Sequence, residues 1–91
     1  MTAKEVMSNT WDVVKKALEV MERRGRAYIF IYSDRTVIAD PDAEAIIELP
    51  PTSQMETYRS LIAKAPFVKM KDNIIMVSKR PEKDLGDFRG L

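Results

Sequence analysis

Between Trp11 and Met21 apolar residues return every three or four positions. Trp11, Val14, Leu18 and Met21 form the stripe, Val13, Ala17 and Val20 widen it, and Lys15, Lys16, Glu19 and Glu22 take the other side. This spacing predicts an amphipathic helix with Trp11 at the head of its buried face. Thr2 with Glu5 resembles a capping box, and Ser8 or Thr10 offers a second N-cap, so the helix starts by Trp11 at the latest. Arg23 and Arg24 suit the negative end of the helix dipole, and Gly25 can take the left-handed conformation that stops it.

From Arg26 to Tyr32 the period changes from helical to alternating. Ala27, Ile29 and Ile31 point one way and Tyr28, Phe30 and Tyr32 the other, so both faces of a central strand are apolar. Ser33-Asp34-Arg35 is a polar break of hairpin length before the β-branched run Thr36 to Ala39. Asp40-Pro41 fits an N-cap followed by proline at the first helical position. Asp42 and Glu44 would then sit at the positive end of a short helix that Pro50-Pro51 must end. Strand is the alternative for Ala45 to Leu49, because Ile46 and Ile47 are β-branched.

Ser53-Gln54-Met55-Glu56 is a second capping-box pattern, and Met55, Tyr58, Leu61, Ile62 and Ala65 continue it as a helical stripe until Pro66. Phe67 to Lys71 alternates, Asp72-Asn73 turns the chain, and Ile74 to Val77 completes a second hairpin. The sequence therefore predicts one α+β domain over residues 1–81. It is an antiparallel sheet of about four strands, in two hairpins, with two main helices and one short helix on one face. Residues 82–91, with two Gly and five charged residues, read as a mobile tail that offers Leu85, Phe88 and Leu91 for docking.

Composition narrows the chemistry. The chain has neither Cys nor His, which removes disulfides, thiolate nucleophiles, the commonest general base and the commonest metal ligand. No run approaches a membrane span and no secretory leader is recognisable, so a cytoplasmic domain without contact to membrane is expected. No phosphate-cradling loop, dinucleotide fingerprint, serine elbow or zinc spacing is present. No small-molecule cofactor is expected. Asp40, Asp42 and Glu44 alternate as oxygen ligands could, but helix-start chemistry explains them more simply, so no metal site is expected there.

The formal net charge of +1 is unevenly spread. Residues 34–56 hold one cation and six acids, and residues 64–83 hold six cations and two acids. Two surfaces follow as candidates. Tyr28, Phe30 and Tyr32 would form a protein interface if they face outward, whereas helices covering them would make them core. Lys64, Lys69, Lys71, Lys79, Arg80 and Lys83 would contact phosphates, unless they merely keep a strand edge charged.

The leading expectation is a small non-enzymatic interaction domain, a regulator, inhibitor or accessory subunit, that binds a protein partner or itself as a homodimer. The aromatic face of the first hairpin is the expected contact. A nucleic-acid-binding protein using the basic third is the alternative. A His-independent enzyme of the Arg/Lys/Tyr ribonuclease kind, drawing on Tyr58, Arg59, Lys69 and Lys71, comes third.

Overall fold

The computed structural model describes residues 3–83 and 85, with side chains from Asn9 onward. Thr2 of the first capping box, and Phe88 and Leu91, lie outside the described residues. Helix α1 spans Ala3–Arg24, so Ser8 and Thr10 lie inside it rather than at its start. Gly25 ends it as its composition predicts, with φ 89° and its N–H donating to the Met21 carbonyl across 2.7 Å.

The strands are β1 (Arg26–Ile31), β2 (Thr36–Ala39), β3 (Ile46–Leu49), β4 (Phe67–Lys71) and β5 (Ile74–Ser78), with helix α2 (Gln54–Lys64) between β3 and β4. They form one sheet in the order β3-β2-β1-β5-β4, antiparallel throughout. The expected short helix is thus replaced by a turn and a fifth strand. Asp40 caps no helix and instead closes a turn, its Oδ1 accepting from the N–H groups of Asp42 at 3.1 Å and Glu44 at 2.8 Å. Ala43 then enters the left-handed region at φ 58°, which no helix can continue through. The β-branched pair is released to pair with β2, Ile47 opposite Ile38 and Ile46 opposite Ala39.

Helix α2 starts as predicted, the Ser53 Oγ accepting from the Glu56 N–H. It ends at Ala65, just before Pro66. Both helices cover the sheet face that carries Ala27, Ile29, Ile38, Ile75 and Val77. Against it α1 buries Val13, Val14, Ala17, Val20 and Met21, and α2 buries Thr57 and Leu61. The registers differ from the sequence stripes in one consequential way: Trp11 is 51% exposed, and Met55 and Ile62 are exposed as well. Thr10, about 100° round the helix from Trp11, takes the inward position instead. Its hydroxyl meets that of Thr52 at 2.8 Å, while Asn9 Nδ2 donates to the carbonyls of Pro50 and Pro51 at 3.2 and 2.6 Å. These bonds fasten the β3–α2 link to α1 and thereby fix the helix rotation.

The opposite sheet face has its own apolar cluster of Tyr28, Phe30, Val37, Ala39 and Met76, with Ile74 and Leu85 packed against it. The helices do not cover the aromatic side of β1. Among the described residues no helix is long and apolar enough to cross a membrane.

Candidate functional site

Antiparallel pairing places side chains of facing residues on the same side of the sheet. The face away from the helices can therefore be followed row by row. One row runs Phe67, Ser78, Arg26; the next runs Lys69, Met76, Tyr28, Ala39, Ile46; the third runs Lys71, Ile74, Phe30, Val37, Glu48. Both sequence candidates thus contribute to this face, aromatics at its centre and two lysines at its β4 edge.

The aromatics are not equivalent. Tyr28 is 1% exposed and Phe30 is also buried, whereas Tyr32 is 40% exposed and its ring stacks on that of Phe30 with centroids 6.5 Å apart. The Tyr28 hydroxyl donates to the Leu85 carbonyl at 2.6 Å and accepts from Arg26 Nη1 at 3.1 Å. Arg26 in turn lies 3.9 Å from Glu82. Residues 82 and 85, on the segment read from sequence as a tail, are thereby held to the sheet. Tyr28 and Phe30 are committed to contacts within the chain, and only Tyr32 presents itself to solvent.

The six cations of the basic third do not form one patch. Lys64 ends α2 and sets its Nζ 5.2 Å from the centroid of Trp11, in the helix layer. Lys69 and Lys71 lie across the sheet, on the opposite face. Lys79 and Arg80 follow β5 and line a cleft of about 420 Å³ whose other cations, Arg23, Arg24 and Arg26, come from the α1–β1 junction. Lys83 lies beyond it and is exposed. Counting charge along the chain missed this cleft because half of it belongs to the first third of the sequence.

The acidic group is organised around a cation of the chain itself. Arg24 lies 3.7 Å from Asp40, 3.6 Å from Asp42 and 3.3 Å from Glu44. Asp40 is fully buried, and its Oδ2 has no hydrogen bond among the described residues, so Arg24 supplies its nearest compensating charge. Among the described residues no group of three acidic side chains converges as a metal site would. The residues considered for catalysis are dispersed too: Tyr58 packs against the helix-side core, Arg59 faces Trp11 across a cleft, and Lys69 and Lys71 lie beyond the sheet.

Trp11, which its spacing puts on the buried face, is exposed, as are Met55 and Ile62 of the α2 stripe; Trp11 is the largest of the three. Trp11 stands between two clefts, one of about 410 Å³ along α1 lined by Lys15, Leu18, Glu19, Glu22 and Arg23, the other of about 490 Å³ towards α2 lined by Glu56, Arg59 and Ser60. The sequence did hold a signal for this: Thr10, Val13, Ala17 and Val20 form a line of small residues at helical spacing, which suits close approach to a sheet better than an indole does. Comparison with known proteins finds no match, whether to a family model, a curated protein or a solved structure.

Proposed function

We propose that this chain is a non-enzymatic interaction domain that works by protein–protein contact, with the helix face around Trp11 as its docking surface and a second copy as the occupant. The observation that carries the reading is the exposed indole between two clefts. Tryptophan is the side chain most enriched among residues that dominate binding energy, and such anchors sit at the centre of a contact with polar groups around them. The aromatic strand, expected from sequence as the contact, supports this less well, because Tyr28 and Phe30 are buried by their own chain.

The charges around Trp11 favour a second copy. Lys15, Arg23, Arg59 and Lys64 lie around Trp11 together with Glu19, Glu22 and Glu56. A two-fold contact sets the same patch against itself, so a patch carrying both signs can answer its own charges. A surface of one sign could not.

Sedimentation velocity over a concentration series tests this. The wild-type chain should move from monomer to dimer as concentration rises into the high micromolar range. Trp11→Ala should remain monomeric with an unchanged circular dichroism spectrum. A wild-type chain that stays monomeric, or a Trp11→Ala variant that dimerises equally well, would refute the reading.

A further inference from the structure

The α1–β1 junction and the end of β5 are brought together by one piece of sheet pairing. Arg26 faces Ser78 across the ladder, and the Lys79 N–H donates to the Gly25 carbonyl at 3.0 Å. The cleft between them gathers Arg23, Arg24, Arg26, Lys79 and Arg80, with Glu22 and Glu82 as its acids. The acids are engaged: Glu22 lies 3.6 Å from Lys79 and Glu82 lies 3.9 Å from Arg26. Arg24 is turned to the 40–44 turn. Arg23 and Arg80 remain exposed, with no ion pair among the described residues.

We infer that this cleft binds a backbone phosphate of single-stranded nucleic acid, with a neighbouring base stacked on Phe67 and the strand continuing along Lys69 and Lys71. Guanidinium groups match phosphate oxygens in pairs, which makes two arginines without carboxylate partners among the described residues a receptor for a phosphodiester. Phe67 is 37% exposed and stands in the same cross-strand row as Ser78 and Arg26. Lys69 and Lys71 then repeat along the edge strand at roughly 7 Å intervals on the same face. A cationic track with an exposed aromatic beside it is what unpaired bases require, because a base within a duplex has no free face to stack. This cleft and the one along α1 meet at Glu22 and Arg23, which line both, but Trp11 lines only the one along α1, so Trp11→Ala tells the two proposals apart.

The test uses a fluorescently labelled 12-nucleotide oligothymidine and anisotropy titrations of the full chain at two salt concentrations. Wild type should bind more weakly as salt rises. Arg23→Ala with Arg80→Ala should weaken binding at least about tenfold and flatten the log–log salt slope by about 0.7, the share of one phosphate contact on a single strand. Phe67→Ala should weaken binding by about tenfold while leaving the salt slope unchanged. Trp11→Ala should bind like wild type. Circular dichroism checks each variant, and Arg23→Lys with Arg80→Lys, which keeps the charge, should recover part of the affinity. The inference is overturned if wild type gives no anisotropy change at low salt, or if the double variant keeps affinity and slope. It is equally overturned if a duplex of the same length or a phosphoserine peptide binds as tightly as the single strand.

Discussion

The hydroxyl of Tyr28 donates to the carbonyl of Leu85 across 2.6 Å, joining the centre of the sheet to a residue 57 positions later. Because Arg26 donates to the same oxygen, one phenol links the first strand of the sheet to the segment that follows the last. Tyr28→Phe keeps the ring in its cluster and removes both bonds. It should cost about 1 to 2 kcal/mol in a urea titration. It should also raise hydrogen exchange at residues 82, 83 and 85, since one of their ties to the sheet is gone while the Arg26–Glu82 pair remains. Unchanged stability would mean that the hydroxyl contributes nothing to holding this segment.

The turn between β2 and β3 depends on Asp40. Asp40→Ala would leave the N–H groups of Asp42 and Glu44 without their acceptor and should cost about 1 to 3 kcal/mol in the same titration. Ala43→Gly should act in the opposite direction. Relief of the left-handed strain at φ 58° outweighs the added freedom of the unfolded glycine, for a net gain of about 0.5 kcal/mol. A loss on Ala43→Gly would contradict the turn geometry.

Two apolar truncations separate core from surface. Leu61, fully buried on α2, should lose about 2 to 5 kcal/mol on replacement by Ala. Trp11→Ala should lose about 1 kcal/mol or less, since half of the indole is already in solvent and its contact with Lys64 is an exposed cation–π pair. Guanidinium denaturation of the two variants side by side would read the difference directly. A Trp11→Ala loss as large as that of Leu61→Ala would place the indole in the core.

Elements specified by local chemistry were legible in the sequence. Gly25 stops α1, Ser53 caps α2, and Asp72, with φ 54°, turns the second hairpin, each at the expected position. What escaped depended on contacts between distant residues. Asp40 accepts the nearby N–H groups that a cap would, but the pairing of Ile47 with Ile38 decides that a turn and a strand follow it, not a helix. In α1 the stripe from Trp11 and the stripe from Thr10 both have helical period. The bonds from Asn9 and Thr10 to residues 50–52, more than forty positions away, turn Thr10 inward, so that Val14 and Met21 of the first stripe stay buried and Trp11 is left exposed. The same limit applied to the charged surface. Lys79 and Arg80 were visible as basic residues, yet their partners in the cleft come from residues 23–26, and only the β1–β5 register brings the two groups together.

The most direct test of the Trp11 surface uses the indole itself, because it is the only Trp in the chain. Its emission maximum and its quenching by acrylamide can be followed from low micromolar to millimolar protein. The contact proposed here predicts a solvent-exposed, readily quenched indole in dilute solution. As concentration rises, the maximum should shift to shorter wavelength and quenching should fall, both tracking the dimer seen by sedimentation. Emission and quenching that stay constant while the protein dimerises would place the contact elsewhere on the molecule and contradict the assignment of this surface.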